Sequence, residues 1–455
     1  MRLTIEEIVE AVDGKCLNKC DERYIQEVTT DSRSIVENGL FIPLKGERFD
    51  GHHFISQVHA HGVVATLTMK QEIIDERLCT IYVEDTAKAL LDLSHYYRMK
   101  FTLPVVGITG SVGKTSTKEM VTAVLSGKWL THKTEGNFNN EIGMPLTLLK
   151  LESCHEVAVI EMGMNHFGEI HRLSTTARPN VAIITNIGTS HIENLGSREG
   201  ILKAKLEVLD GLQTGGLLII NGDNDLLKQL HDLPYKMVSY GLSKENDYWA
   251  HSIKNDGEYT LAYVVTPKEE YPIRIKALGE HMVYNTLAAI AVAEHLGLTL
   301  EEIERGLSYY EPTKMRMQLA TYENGITVID DTYNASVDSM KAALKVLKDY
   351  KTQGRKIAVL GDMLELGDFA PVLHEEVGAF AASLELDGIY AVGALAKHIE
   401  VGCQKKGYSN VYHYDTKASF VEEMGKQLVG GDTILFKASR GMHFEEMLEE
   451  VRKVK

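Results

Sequence analysis

PVVGITGSVGKTSTKEMVTAVL, residues 104–125, joins an apolar run, a glycine-containing turn and a helical repeat. The valines before the turn are typical of a buried strand, and the apolar residues after it recur at helical spacing. Gly110 and Gly113 let backbone amides converge on an anion, at the point where the helix presents its positive end. The stretch therefore predicts a strand, a phosphate-binding loop and a helix.

The loop departs from the strict phosphate-loop pattern G-x-x-x-x-G-K-[ST], because Ile108 stands where that pattern requires glycine. Lys114 adds a mobile ammonium, and Thr115 offers a hydroxyl to Mg²⁺. The flanking strand and helix favour nucleotide phosphate binding over a chance G-K-T. The predicted phosphate-binding residues are Gly110, Ser111, Val112, Gly113, Lys114, Thr115 and Ser116.

The composition is that of an acidic, multidomain chain. Its 455 residues exceed what one hydrophobic core usually supports, and its formal net charge is −16. That charge argues against nucleic acid or an anionic membrane as the main partner. No apolar run approaches the ~20 residues of a membrane span. We expect a cytoplasmic monomer with no nucleic-acid partner and no integral membrane segment.

The cysteines indicate neither a zinc site nor a disulfide framework, because they are scattered, odd in number and without C-x-x-C spacing. They are Cys16, Cys20, Cys79, Cys154 and Cys403. This pattern fits a reducing compartment.

The N-terminal block TTDSRSIVENGLFIPLKGERFDGHHFI is dense in polar residues. Ser32 and Arg33 precede a predicted strand at residues 40–43, and Lys45 and His52 follow it. One interpretation is a pair of turns whose side chains bond to local backbone. The other is a binding surface.

The middle of the chain alternates strands with helices, which predicts a parallel sheet covered on both faces. Ligands bind outside the carboxyl ends of such strands. A predicted strand at residues 157–160 ends in Glu161, and another at residues 181–185 ends near His191. Glu161 is either a helix cap or a metal ligand; we favour the ligand, because Mg²⁺ held by Thr115 needs a second oxygen donor.

Two further stretches have both a structural and a functional interpretation. Three asparagines within residues 137–140 predict a surface turn, or a row of amides that bind phosphate or peptide groups. They are Asn137, Asn139 and Asn140. Ser197 can cap a helix from which Lys203 and Lys205 project. Spacing alone places both lysines on a solvated face.

The sequence around Pro312 predicts a linker, because it ends one helical pattern before a new series of strands. From Gly325 onward, strands and helices alternate again. This C-terminal region lacks G-x-G-x-x-G, which argues against nicotinamide or flavin binding.

Eight blocks in order resemble the Mur ligase family across essentially the whole chain. They are TGSVGKTS, TEGNFNNEIGMP, EMGMNHFGEI, TNIGTSHIENLGSREGILKAK, GEHMVYNTLAAIAVA, DDTYNASVDSM, LGDMLELG and KASRGM. Within the family, the N-terminal block together with GDMLELG and KASRGM resembles members that add D-alanyl-D-alanine to a UDP-N-acetylmuramoyl-tripeptide. The resemblance implies an ATP-dependent, ADP-forming amide ligase that acts through an acyl phosphate in peptidoglycan precursor synthesis.

The resemblance also implies an α/β fold of three domains. Residues 1–85 form a small α/β domain that binds the UDP-linked substrate. Residues 86–312 form a central P-loop ATPase domain with a mainly parallel sheet. Residues 313–455 form a Rossmann-like α/β domain that binds ATP and the incoming dipeptide.

By this similarity, the catalytic residues are Lys114, Glu161, His191 and Lys205. Lys114 is expected to bind the β and γ phosphates, and Thr115 and Glu161 to hold one Mg²⁺. His191 and Lys205 fall where the family keeps a second-metal histidine and a carbamylated lysine. The expected metal ligands are therefore Thr115, Glu161, His191 and Lys205.

On the nucleotide side, the resemblance places Asn285 near adenine and Arg316 and Asp331 at ATP. Met282 departs from the family's H-N-x-x-N motif, and Val337 replaces its usual proline. The residues expected to bind the two substrates are Ser32, Arg33, Lys45, His52, Asn137, Asn139, Asn140, Tyr333, Asn334, Ser439 and Arg440.

Two alternatives stay open at the sequence level. A diamino-acid-adding Mur ligase or a folylpolyglutamate synthase would share the central domain, although D-N-P-R, typical of the diaminopimelate adder, is absent. A P-loop switch or transport ATPase would also share the phosphate loop, but no guanine-reading N-K-x-D is present.

Overall fold

A computed structural model describes residues 1–20, 24–47 and 49–454. It has a mixed α/β fold with several mostly parallel sheets, as the sequence predicts. The chain divides into two compact units. The first comprises Met1–Thr109, Trp129–Ala182 and Leu206–Leu217, and the second comprises Gly110–Lys128, Ile183–Lys205 and Leu218–Lys455.

The N-terminal region of the first unit is a small α/β fold. Its elements are β1 Leu3–Thr4, α1 Ile5–Ala11, β2 Lys15–Cys16, β3 Tyr24–Ile25, β4 Glu27–Thr29, β5 Gly39–Phe41, α2 Ile55–Val58, β6 Val63–Thr68, β7 Cys79–Tyr82 and α3 Thr86–Arg98. Strands β4 to β7 are parallel, in the sheet order β2-β7-β6-β5-β4, and β2 is antiparallel to β7. Phe41, Val58 and Val63 pack in its core. The carboxyl ends of β4, β5 and β6 therefore lie on one edge of the sheet.

A disulfide corrects the interpretation of the cysteines. Cys20 and Cys79 are bonded, with their Cα atoms 4.9 Å apart and a sequence separation of 59. Spacing could not reveal the pair, because the fold brings β7 beside the chain that follows β2.

The remaining elements of the first unit follow α3. They are β8 Val105–Thr109, β9 Thr131–Lys133, α5 Gly143–Leu148, β10 Val157–Glu161 and α6 Glu169–Ala177. Strand β10 pairs in parallel with both β8 and β9, and all five residues of β10 are buried. A strand buried on both faces explains why its sequence reads as a continuous apolar run.

The second unit begins with the phosphate loop and α4 Lys114–Leu125. Strand β11 Val181–Ile184 leads into it along the chain, and it continues with α7 Ile192–Leu195, α8 Arg198–Leu206, β12 Leu217–Asn221, β13 Lys236–Gly241, β14 Tyr248–Asp256, β15 Tyr259–Val265, β16 Glu270–Ile275, α9 Glu280–His295 and α10 Leu300–Leu307. Strands β14, β15 and β16 form an antiparallel meander that the sequence analysis did not predict.

The C-terminal part of the second unit has its own sheet. Its elements are β17 Gln318–Thr321, β18 Thr327–Asp330, α11 Val337–Asp349, β19 Lys356–Gly361, α12 Ala370–Ala382, β20 Gly388–Val392, α13 Lys397–Lys405, β21 Val411–Tyr414, α14 Lys417–Gln427, β22 Thr433–Lys437 and α15 Glu445–Val451. The order is β17-β18-β22-β19-β20-β21, parallel except for the edge strand β17. The predicted strands of this region are therefore confirmed. Within the described residues, no helix has the length and apolarity needed to cross a bilayer.

Candidate active site

The phosphate loop is held by the segment that follows β11. The backbone N–H of Ser111 donates to the Asn186 carbonyl at 3.0 Å, and that of Val112 donates to Asn186 Oδ1 at 2.7 Å. Thr185 Oγ1 donates to the Val112 carbonyl at 2.6 Å, and Gly188 N donates to Ser111 Oγ at 3.0 Å. The phosphate loop is therefore held in position by hydrogen bonds to a different segment of the chain, residues 185–188.

Two glycines in the loop meet different requirements. Gly110 has φ 150°, and a Cβ added there would lie 1.9 Å from Thr185 Oγ1. Gly113 has φ 86° and immediately precedes α4. Both conformations are costly for residues with a side chain. Position 108 carries no such demand, because Ile108 belongs to strand β8, and this explains how the loop forms without the strict glycine pattern.

Lys114 and Thr115 open α4 at the loop. Lys114 Nζ donates to the Gly110 carbonyl at 2.8 Å, so the ammonium lies over the loop. Thr115 Oγ1 accepts from Arg316 Nη2 at 3.4 Å. The N-terminal end of α4 thus gathers backbone amides, an ammonium, a guanidinium and a hydroxyl, which is the donor set that a polyphosphate requires.

Lys205 is buried, whereas the neighbouring Lys203 is exposed. Only 1% of Lys205 is accessible, and among the described residues no acidic side chain is ion-paired with it. Burial, and secondarily the positive charge of Lys114, holds the pKa of Lys205 well below its usual range. The solvated-face interpretation is therefore wrong for Lys205 and confirmed for Lys203.

His191 lies at the start of α7 with φ 61°, and its ring faces the carboxylate of Glu365. Its Nδ1 is 2.7 Å from Glu365 Oε2. The hydrogen bond from His191 lowers the pKa of Glu365. The glutamate comes from the GDMLELG block, so this block meets the segment that carries His191.

Asn285 is 7% exposed on α9, in the apolar face of that helix. Its Oδ1 accepts from Thr117 Oγ1 at 2.9 Å, and its Nδ2 donates to the sulfur of Met282 at 3.4 Å. Met282, which departs from the family motif, therefore supplies a weak acceptor to the amide that the motif retains.

Arg316 lies against the ring of Tyr333, with its guanidinium carbon 4.0 Å from the ring centre. Within the described part of the chain, Arg316 Nε is buried and has no hydrogen-bond acceptor. A buried guanidinium N–H without an acceptor is costly. An anionic ligand beside Thr115 would supply the missing acceptor, so a nucleotide phosphate fits this position.

Asp331 and Lys437 form a buried ion pair. Lys437 Nζ is 2.5 Å from Asp331 Oδ2 and also donates to the Asn334 carbonyl at 2.9 Å. Lys437 is 2% exposed and Asp331 7%. Burial lowers the pKa of Lys437, although the Asp331 carboxylate opposes that shift. Asp331 Oδ1 accepts from Met317 N at 3.2 Å, which ties the carboxylate to the chain just after Arg316.

A cavity of about 230 Å³ within the second unit is lined by the phosphate loop, by α9 and by residues next to the C-terminal sheet. Val112, Gly113 and Ser116 contribute from the loop side. The residues that contribute from α9 and from the C-terminal sheet include His281, Asn285, Arg316, Asp331 and Lys437. A cavity with a phosphate loop on one wall and an amide and a guanidinium on another suits a nucleoside triphosphate.

The other predicted C-terminal residues lie in two settings. Ser439 is 4% exposed, and its Oγ accepts from Leu364 N at 2.9 Å, so it positions the GDMLELG loop. Arg440 is exposed and pairs with Glu445 at 2.8 Å. Asn334 is exposed at the start of the segment leading to α11.

In the first unit, Glu161 ends β10 and is 1% exposed. Its Oε1 accepts from Asn139 Nδ2 at 2.8 Å, and its backbone N–H donates to Thr134 Oγ1 at 3.0 Å. Asn140 Oδ1 accepts from Gly143 N at 2.8 Å and so caps α5. Asn139 thus orients the carboxylate, Asn140 acts as a helix cap, and Asn137 is exposed.

His52 is buried, and the protein engages both of its ring nitrogens. Nδ1 lies 2.6 Å from Asp50 Oδ1, and Nε2 accepts from Met69 N at 3.0 Å. Asp50 also pairs with Lys70 Nζ at 2.9 Å. His52 therefore holds Asp50, and through it Lys70, at the carboxyl edge of the N-terminal sheet.

Ser32, Arg33 and Lys45 follow strands β4 and β5 at the same edge. Arg33 donates to Asp31 through Nε and Nη2, and this pair holds the pKa of Asp31 at about 2. Lys45 and Arg33 are exposed, and the Ser32 carbonyl accepts from His61 at 2.8 Å. The edge therefore presents cations to solvent.

Sequence reasoning missed several residues of these sites. The sequence identifies Thr185 only as the end of a strand and does not single out Asn186, while Lys437 and Glu365 appear only within the KASRGM and GDMLELG blocks. Lys70 carried no local signal, because its position depends on the pairing of β5 with β6. Strand-end polar residues in a parallel sheet were the signal available for the first three.

Comparison with protein families matches three consecutive regions of this chain. Residues 24–98 match "Mur ligase family, catalytic domain", residues 108–293 match "Mur ligase middle domain", and residues 315–440 match "Mur ligase, glutamate ligase domain". Together they span both units.

Curated relatives are similar over nearly the full length. The UDP-N-acetylmuramoyl-tripeptide--D-alanyl-D-alanine ligase of Bacillus subtilis (strain 168) is 41% identical over 454 residues, covering 99% of this chain and 98% of its own. The ligase of the same name from Escherichia coli (strain K12) is 34% identical, with 99% and 98% covered.

Solved structures agree with the sequence comparisons. A crystal structure of MurF from Acinetobacter baumannii has a TM-score of 0.93 and 33% identity, covering 100% of this chain and 99% of its own. MurF ligase from Thermotoga maritima in complex with ADP has a TM-score of 0.85 and 28% identity, with 94% and 97% covered. From its three matched regions and its full-length relatives, the chain belongs to the Mur ligase family.

Proposed function

We propose that this protein is an ATP-dependent, ADP-forming ligase that joins D-alanyl-D-alanine to a UDP-N-acetylmuramoyl-tripeptide. The cavity that brings the phosphate loop together with Asn285, Arg316 and Lys437 carries the proposal. Full-length similarity to ligases named for this reaction supports the substrate pair. The reaction belongs to cytoplasmic synthesis of peptidoglycan precursors, and we propose that the enzyme acts there as a monomer.

ATP enters the cavity with its phosphates on the loop. The backbone amides of residues 110–116 and the Lys114 ammonium bind the β and γ phosphates. Arg316 Nε, buried without an acceptor among the described residues, donates to a phosphate oxygen. Asn285 binds on the adenine side, and Asp331 positions Lys437 at the cavity wall.

Four residues are the proposed ligands of Mg²⁺. The hydroxyl of Thr115, the carboxylate of Glu161, the ring of His191 and a modified Lys205 are suited to a divalent cation, because hydroxyl and carboxylate oxygens are hard ligands. Bound Mg²⁺ neutralises phosphate charge and so lowers the repulsion between two anionic reactants. Asn139 orients Glu161, and Glu365 orients His191.

Lys205 is proposed to react with CO₂. Burial lowers the pKa of its amine, and a lowered pKa favours the neutral amine that this reaction requires. The nitrogen bonds to the carbon of CO₂ and loses a proton, which gives a carbamate anion. A carbamate resonance in ¹³C NMR after addition of ¹³C-bicarbonate is expected for the natural protein. Its persistence in Lys205→Met would contradict the assignment.

The protein's residues then act on two successive displacements. The carboxylate of the tripeptide's third residue attacks the γ-phosphorus, ADP leaves, and an acyl phosphate forms. Lys114 and the loop amides stabilise the charge on the phosphoryl group during this transfer. The amine of D-alanyl-D-alanine attacks the acyl carbon and loses a proton, and phosphate leaves with the electrons of the C–O bond.

We propose three domains with the roles of residues 1–85, 86–312 and 313–455 given above. The carboxyl edge of the N-terminal sheet offers Arg33, Lys45 and Lys70 to a pyrophosphate, in a protein whose net charge is −16. Ser32 and Asn137 are proposed as donors to the UDP-linked substrate. In the C-terminal domain, Arg440 is proposed to bind the dipeptide carboxylate. Tyr333, Asn334 and Ser439 are proposed to orient the dipeptide.

The decisive experiment measures ADP release with each substrate omitted in turn. We expect turnover only with ATP, Mg²⁺, the UDP-linked tripeptide and D-alanyl-D-alanine together, and a product whose mass equals the sum of the two peptides less water. D-Alanine alone should give little turnover. Lys114→Ala should remove activity while leaving the fold intact.

Two outcomes would overturn the proposal. Turnover with a diamino acid and a UDP-linked dipeptide would identify a diamino-acid-adding ligase. ATP hydrolysis that needs neither peptide would identify an ATPase without ligase activity. Assays with lysine and with diaminopimelate at the third position identify the natural tripeptide.

A further inference from the structure

The N-terminal region carries three cysteines that the ligase chemistry does not use. Cys20 and Cys79 are bonded to each other, and the Sγ of Cys16 lies 3.7 Å from the Sγ of Cys20. Cys16 is an exposed thiol, whereas Cys79 is 8% exposed. A free thiol thus lies in contact distance of a disulfide, with one face open to solvent.

Local structure brings the three sulfurs together independently of the covalent bond. The loop between Cys16 and Cys20 is fastened to β7 through Asn18. Asn18 Nδ2 donates to the Leu78 carbonyl at 2.8 Å, and Asn18 Oδ1 accepts from Thr80 N at 2.9 Å. The strand pairing of β2 with β7 holds the other end of the loop. The sulfurs therefore stay close when the disulfide is reduced.

We propose that this cluster is a thiol–disulfide site, in which Cys20 and Cys79 form a reversible disulfide and Cys16 is the thiol that exchanges with it. The site does not depend on the proposed function. The other chemistry that three cysteines could support is zinc binding. Zinc needs thiolate ligands, so only the reduced cluster could bind it, whereas the structure has Cys20 and Cys79 bonded to each other.

The chemistry balances with a peroxide as the oxidant. The Cys20 thiolate attacks an oxygen of hydrogen peroxide, the O–O bond breaks, and a sulfenic acid and hydroxide form; the hydroxide takes up the proton that the Cys20 thiol lost and becomes water. The Cys79 thiol then attacks the sulfenic sulfur, forming the S–S bond and releasing a second water. A small dithiol returns two electrons and two protons and restores both thiols.

Exchange within the cluster requires no outside electrons. The Cys16 thiolate attacks the Sγ of Cys20, so that the Cys16–Cys20 bond forms and the Cys20–Cys79 bond breaks. Cys79 leaves as a thiolate and takes up the proton that Cys16 lost. Cys79 then lies buried and reduced, while the exchanged disulfide lies at the exposed side of the cluster.

The bond closes a loop that contains most of the cationic edge of the N-terminal sheet. The bonded cysteines have a sequence separation of 59. Within the loop lie Ser32, Arg33, Lys45, His52 and Lys70. A cross-link at the base of this loop restricts its opening. Oxidation should therefore protect this segment from unfolding and leave the cavity of the second unit unchanged.

Peroxide treatment followed by alkylation and peptide mass spectrometry tests the proposal on the full chain. We expect a Cys20–Cys79 linked peptide in the oxidised protein, a minor Cys16–Cys20 linked species, and loss of both after a dithiol. Cys154 and Cys403 should stay thiols. Cys154→Ser serves as the matched control, because it removes an exposed thiol outside the cluster.

Variants separate the roles of the three cysteines. Cys16→Ser should keep the Cys20–Cys79 link and lose the exchanged species. Limited proteolysis within residues 20–79 should be at least severalfold slower in the oxidised than in the reduced natural protein, and equal in the two states for both Cys20→Ser and Cys79→Ser. Absence of the Cys20–Cys79 link in oxidised natural protein would overturn the proposal. So would one equivalent of bound zinc that protects all three thiols from alkylation.

Discussion

Replacing Lys205 by methionine should stabilise the protein, and the gain should shrink as the pH rises. Lys205 is buried and its pKa is held well below the usual range, so the folded state binds a proton there less readily than the unfolded state does. The unfolded chain binds a proton there with an ordinary pKa of about 10.4. Because the unfolded state binds more protons, this group contributes stability that increases with pH up to that value.

The magnitude follows from the linkage of protonation to folding. For each unit by which the pH lies below the pKa of the unfolded state, the free energy of unfolding falls by about 1.4 kcal/mol. This holds as long as the pH lies above the pKa of the folded state. Lys205→Met removes a cost of up to about 3.9 kcal/mol at pH 7.5 and about 1.9 kcal/mol at pH 9.0. Methionine fills a similar apolar volume, so packing loss is small.

Urea denaturation in CO₂-free buffer measures this effect. The chain has two tryptophans, Trp129 in the first unit and Trp249 in the second. In a Trp129→Phe background, fluorescence reports on Trp249, which shares a unit with Lys205. Lys203→Met is the matched control, because Lys203 is exposed on the same helix, and it should change stability little at either pH. An equal effect of Lys205→Met at both pH values would refute the reasoning.

Three further predictions concern the cavity. Arg316→Ala should raise KM for ATP roughly ten- to hundredfold, the loss of about 1.5–3 kcal/mol expected for hydrogen bonds to a charged group; steady-state kinetics measure it. Lys437→Met should lower the free energy of unfolding by about 3–5 kcal/mol, because Asp331 stays buried without its partner, and adding Asp331→Asn should recover part of the loss in urea titrations. Gly110→Ala should abolish binding of a fluorescent ATP analogue, and Thr185→Ala in the same chain should restore part of it.

Each of these has a contradicting result. An unchanged KM in Arg316→Ala, or an equal rise in the exposed control Arg274→Ala, would remove Arg316 from the ATP site. Strictly additive losses in the Asp331 and Lys437 pair would show that the two side chains do not interact. Full binding by Gly110→Ala would show that the loop tolerates a side chain at this position.

The sequence predicted best those parts of the fold that local pattern determines. Buried strands such as β10 and β19 read as apolar runs, because both of their faces are covered. The phosphate loop and α4 followed from glycine and helical spacing. The meander of β14, β15 and β16 was missed, although the burial of β14 and β16 alternates along each strand as in a half-buried sheet.

Tertiary proximity explains the site features that sequence could not supply. The Cys20–Cys79 bond joins two segments that are distant in sequence and that the pairing of β2 with β7 brings together. The burial of Lys205 depends on what packs over α8, so helical spacing placed it wrongly in solvent. The roles of Glu365 and Lys437 likewise come from partners far along the chain.

The wall that Thr185 forms against Gly110 has a consequence for how such loops change. Two separate segments determine the conformation of the phosphate-binding loop. One supplies the backbone amides, and the other holds that backbone in position through hydrogen bonds. If residues 107–116 alone were grafted into another strand–helix junction, the loop would keep its backbone amides but lose the hydrogen bonds that hold its conformation. The loop and the segment around Thr185 therefore have to change together. A substitution in one of them is expected to be tolerated only with a matching substitution in the other.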